Sequence, residues 1–197
     1  MKKIGIIICL IFICQIYGAA ALQTNNSNDK YFSKFDEYLD QKQTILECVI
    51  YDTFLAQSFR PTLNNIERVE LALYIQEKIN QVNITLSIRN RLYGRDIGST
   101  TISSDIIPYN STHNCYWDWI AFDFQSIELI PDKKYYLILS LSEGKHNPFE
   151  ENVMWFIGWK NPYIKGSSYA SKINLWAPIW ILLKNNGDFS FKTYGIK

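Results

Sequence analysis

From about Asp40 onward, apolar residues fall at every second position. Val69, Leu71, Leu73 and Ile75 alternate with Glu70, Ala72 and Tyr74, and Val82, Ile84, Leu86 and Ile88 alternate with Asn83, Thr85 and Ser87. A period of two is that of a strand with one buried face. Tyr135, Leu137, Leu139 and Leu141 repeat it, MWFIGW (154–159) predicts a further strand, and Phe189, Phe191 and Thr193 predict a closing one. Between these runs stand clusters of turn formers: RPTLNN, YGRDIGS, IPDKK, EGKHNP and KNNGD. Many short strands without a convincing long helix predict an all-β fold, an antiparallel, jelly-roll-like β-sandwich over 40–197. The segment LYGRDIGS (92–99) predicts a hairpin whose glycines suit φ > 0.

Upstream of Asp40 the pattern changes. MKKIGIIICLIFICQIYGAAAL places two lysines before an apolar run and the small residues Ala19–Ala21 after it, the build of a secretory signal peptide over 1–21. An uncleaved anchor is the other reading, although the apolar run falls short of the roughly 20 residues that span a bilayer. Residues 22–39 read as a polar tether, QTNNSNDK first, with Phe32, Phe35 and Leu39 at the spacing of a short amphipathic helix.

The segment WDWIAFDF (117–124) carries two parities at once. Ile120, Phe122 and Phe124 suit a core face, which assigns Trp117 and Trp119 to the opposite, outer face. The order of the pieces then resembles the exported β-sandwich modules of bacterial and archaeal cell-surface proteins. The shared pieces are a Q-x-F entry strand in AQSFRPT, VELALYI, NITLSIRNRLYGRDIGSTTISS, WDWIAFDF, IELIPDKKYYLILSL and DFSFKTYG. The resemblance runs from about Asp40 to Gly195 and implies a sandwich related in shape to carbohydrate-binding modules, with Ile97 standing where the family's turn has proline. Such modules often belong to larger architectures; only two residues follow Gly195 here, so no anchoring domain is expected. These are packing motifs, and they speak to fold more than to ligand.

Charge narrows the partners. The chain has 20 Lys+Arg against 19 Asp+Glu, and losing Lys2 and Lys3 with a signal would leave it near neutral, slightly acidic. A nucleic-acid binder needs a basic field, so that class is set aside. Of four cysteines, Cys9 and Cys14 would leave with the signal. In an exported chain Cys48 and Cys115 would then form one disulfide, or remain as two buried thiols.

Catalytic signals are sparse. The two histidines, His113 and His146, stand in no nucleophile or metal motif, and the proximity of His113 and Cys115 in sequence does not make a dyad. Glu150 and Glu151 are adjacent, as in a solvated turn, rather than paired across a cleft. A structural calcium ion would call on Asp40 or Asp188; no other cofactor is expected.

Aromatic residues make up 15% of the chain and all six tryptophans follow residue 116, which makes a stacking platform the richest chemical signal. Sugar rings stack their C–H faces on indole while amides and carboxylates bond the hydroxyls, so Trp117, Trp119 and Trp176 are the candidate ligand contacts. Trp155 and Trp159 share a face with Ile157 and read as core, and Trp180 flanks Pro178 with Trp176. Sequons at Asn25, Asn83 and Asn110 suit an exported glycoprotein, and the strand register turns Asn83 outward.

These readings converge on a secreted or cell-surface, non-enzymatic binding or adhesion module. Its first-choice partner is a glycan or another surface component, with no membrane span in the mature chain. A structural spacer or envelope component is the alternative.

Overall fold

A computed structural model describes residues 36–50, 54–75, 82–107, 117–141, 153–174, 177–183 and 187–197, with side chains at 172–178 left aside. Within these residues, two antiparallel sheets pack face to face. The first comprises β1 (Tyr38–Gln43), β2 (Cys48–Ile50), β4 (Asn65–Ile75), β7 (Trp117–Glu128), β9 (Val153–Gly158), β12 (Asp188–Phe189) and β13 (Phe191–Gly195). The second runs in the order β11 (Ala177–Leu182), β10 (Ser168–Asn174), β3 (Phe54–Phe59), β8 (Tyr135–Leu141), β5 (Asn83–Arg89) and β6 (Asp96–Ser103). The chain crosses repeatedly from one sheet to the other, the winding of a jelly-roll-like sandwich and not of a meander.

The alternation read from sequence is the alternation observed. Val69, Leu71, Leu73, Ile75, Ile84, Leu86, Ile88, Leu137 and Leu139 are all buried, and Asn83 is exposed. At the centre Trp155 stacks on Phe189 at 4.5 Å between ring centroids, and Phe191 meets Phe59 and Tyr163. Trp155 is fully buried and Trp159 half-buried against the same core, as expected.

Four expectations need correction. Leu39 is not helical: it stands exposed in β1, paired with Tyr194, while Phe32 and Phe35 lie outside the described residues. A strand partner supplies backbone hydrogen bonds along a whole segment, which outweighs three apolar residues at helical spacing. The strand therefore begins at Tyr38, inside the stretch read as tether. The β5–β6 hairpin forms, but its glycines have no positive φ. Gly98 answers a different need, since a Cβ there would lie 2.1 Å from Ile127 Cδ1. Finally, DFSFKTYG is two strands: β12 pairs with β9 and β13 pairs with β4, the handover falling at Ser190.

That handover is fixed by polar groups inside the sandwich. Gln57 of β3, fully buried, donates to Asp188 Oδ1 of the opposite sheet at 2.9 Å and accepts from Phe189 N at 2.8 Å. Tyr163 N donates to Asp188 Oδ2 at 3.1 Å, and Gln43 Nε2 to the Asp188 carbonyl at 2.6 Å. The Ser190 carbonyl accepts from the Trp155 indole at 2.8 Å. Gly187 precedes this cluster at φ +111°, where a Cβ would come within 1.8 Å of the Gly158 carbonyl, so only glycine fits.

Burial raises the pKa of Asp188, and the donors Gln57 and Tyr163 N oppose that rise only in part. The folded chain thus holds this proton more tightly than the unfolded chain, so this group's contribution to stability is fully present below the ordinary carboxylate range and is lost as pH rises through the raised value. Asp188→Asn, a neutral group of the same shape, is expected to flatten that segment of the stability curve. Urea midpoints measured upward from the ordinary carboxylate range would show it; an unchanged slope in the variant would place the titration elsewhere.

Candidate functional site

β7 lies at the free side of β4, and its register places Trp119 opposite Ala72 and Trp117 opposite Tyr74 on the outer face of the first sheet. Ile120 and Phe122 are buried on the inner face, so the parity read from WDWIAFDF holds. The two indoles meet edge to face at 6.4 Å, and Trp117 meets Phe156 of β9 at 5.7 Å. They are not equivalent. Trp117 is 38% exposed, whereas Trp119 is half-buried with the Lys192 ammonium 4.0 Å over its ring. Ala72 and Met154, of outward parity, are nonetheless buried among these aromatics. Trp117 therefore presents its ring, and Trp119 with Phe156 holds it in place.

The neighbouring charges are spent on one another. Lys192 pairs with Glu70 at 2.9 Å, Arg68 with Glu37 at 2.8 Å and with Glu70 at 3.5 Å, and the Tyr194 hydroxyl donates to Glu70 at 3.0 Å. Burial, and then the Glu70 carboxylate, push Tyr194 up to about 12, so it remains a donor at neutral pH.

Further along β7 the surface changes character. Ile66 pairs with Ile127 and Arg68 with Asp123, so Phe124–Ser126 bulge opposite Glu67 alone. The bulge opens one wall of a cleft of about 1030 Å³, and β6 forms the other. Asp123, Gln125, Ser126 and Glu128 line it, and their side chains make no hydrogen bond or ion pair within the described residues. Ile127, seated against Gly98, and the buried Tyr135 contribute apolar lining. Sequence reasoning missed this cleft, though it left a trace. The apolar positions Ile120, Phe122 and Phe124 are even and Ile127 and Leu129 odd, a switch of parity that marks a bulge.

The other expected site residues do not gather here. Trp176, Cys115, His113, His146, Glu150, Glu151, Asn25 and Asn110 lie outside the described residues. Cys48 is buried in β2 beside Ile157. Trp180 belongs to the other sheet, where it meets Phe54. Of the calcium candidates, Asp40 accepts from Thr62 N at 2.9 Å and Leu63 N at 3.3 Å, and Asp188 is committed to the internal cluster. No three His, Cys, Asp or Glu side chains come together among the described residues, nor is any helix there long and apolar enough to cross a membrane.

Compared with known proteins, the chain matches no protein-family model, no curated protein and no solved structure.

The division of labour between the indoles has a measurable consequence. Trp119→Ala removes the seat of Lys192 and the cover of Ala72, and is expected to cost about 2–4 kcal/mol, toward the range for a buried aromatic. Trp117→Ala is expected to cost less than half of that. Equilibrium unfolding of the two variants side by side would show the difference, and equal losses would contradict it.

Proposed function

We propose that this chain is an exported, non-enzymatic binding module whose ligand is a glycan, engaged first on the ring of Trp117. The supporting observation is a partly exposed indole on the outer face of β7, braced from two sides by Trp119 and Phe156. A rigid flat apolar ring loses little conformational entropy on contact, and a sugar's C–H face is complementary to it. The order of sequence motifs, which resembles that of cell-surface sandwich modules, supports the same reading. So do the basic, apolar and small-residue order of the first 21 residues and the exposed sequon asparagine Asn83. The test is titration of the protein against a panel of oligosaccharides. Trp117→Ala is expected to weaken binding at least about tenfold, roughly 1.4 kcal/mol, with the fold intact.

A spacer or envelope component is the second reading. The burial of Ala72 and Met154 beneath outward aromatics favours it, because it gives the patch a covering role. A protein of that kind would leave the whole panel unbound.

Export carries a second expectation. Cys48 and Cys115 form a disulfide in the mature protein, closing a long loop worth on the order of 4 kcal/mol by the chain-entropy argument. Mass spectrometry without reduction is expected to show the protein two hydrogens lighter than its dithiol form; alkylation of both thiols would refute the bridge.

A further inference from the structure

The polar side chains of β7 and its neighbours divide into two groups. Those beside the tryptophans, Glu70, Lys192, Arg68 and Tyr194, pair with one another. Those at the bulge, Asp123, Gln125, Ser126 and Glu128, have no hydrogen-bond or ion-pair partner among the described residues and surround a cleft of about 1030 Å³, a size that suits a ligand. Surface polar groups usually face water, but four of them on one bulged edge around one concavity form a ready set of acceptors and donors. Asp123 also shares the outer parity of Trp117 and Trp119 through Ala121, and at roughly 3.4 Å per residue it lies about 14 Å beyond Trp119 along the same strand.

We propose that the β6–β7 cleft is a second, polar subsite for a neutral, unbranched oligosaccharide that runs along β7 from the Trp117 ring. The proposal rests on the glycan reading above. Asp123 and Glu128 accept hydrogen bonds from ring hydroxyls, the Gln125 amide both donates and accepts, and Phe124 and Ile127 offer apolar surface to the C–H faces. The charge at the cleft selects among glycans. Two carboxylates against the single ammonium of Lys133 disfavour a uronate or sulfated chain and admit a neutral one.

The test titrates the intact protein with neutral β-linked hexose oligosaccharides from disaccharide to octasaccharide, and with a polyuronate of matching length. Three chains are compared: the native one, Asp123→Asn with Glu128→Gln, and Trp117→Ala. The native protein is expected to gain about tenfold in affinity as the ligand grows long enough to enter the cleft, the value of one or two charge-assisted hydrogen bonds. The double variant is expected to lose that gain and to accept the polyuronate, while binding short oligosaccharides as the native protein does. Trp117→Ala is expected to weaken every length. If the double variant keeps the full dependence on length, the cleft proposal is overturned and the Trp117 platform stands. If no oligosaccharide of any length binds, the glycan reading fails and the subsite with it.

Discussion

Two sheets of a sandwich are held together mainly by apolar burial, which is strong but indifferent to direction. In this protein the direction comes from one hydrogen-bonded bridge, Gln57 to Asp188, made across the core by two side chains with no access to water. A buried carboxylate without donors costs several kcal/mol, so any registration of the sheets that separates these two is penalised out of proportion to its area. Gln43, Tyr163 and the Ser190 backbone extend the same cluster to β1, the loop before β10 and the start of β13. The strand handover at Ser190 and the position of β9 beside β4 follow from it.

The surface features depend on that registration at one remove. β4 accepts β13 and then β9 along one edge and β7 along the other. The Trp117, Trp119 and Phe156 rings come together only because β7 and β9 flank β4 at the same level. Lys192 reaches Trp119 because β13 brings it to Glu70.

Alternation made much of this legible. The inner residues of β4, β5, β8 and β9, the outer position of Asn83 and both parities of WDWIAFDF could be read directly, because a strand's two faces are set by a period of two. What could not be read were the features that break the period or involve partners distant in sequence. Leu39 obeys β13, 155 residues away. Gly98 is fixed by Ile127, and the buried roles of Gln57 and Asp188 are invisible because each looks like an ordinary surface residue. The uneven burial of Trp117 and Trp119 escaped for the same reason: Lys192 is close to Trp119 only through β13. The bulge at Phe124–Ser126 lay between these cases, written in the sequence as a change of parity but interpretable only beside β4.

The pairing of β1 with β13 has a consequence for how the molecule is made. These strands come from opposite ends of the described chain, and β13 also completes the edge of β4. The internal bridge likewise needs Asp188, which lies in β12, after every other described strand but β13. A nascent chain emerging from its N-terminus therefore holds most of its strands without the piece that closes either sheet interface. Its many contacts between distant residues slow folding further. Such a polypeptide cannot close its sandwich until β12 and β13 have both emerged, however many strands precede them.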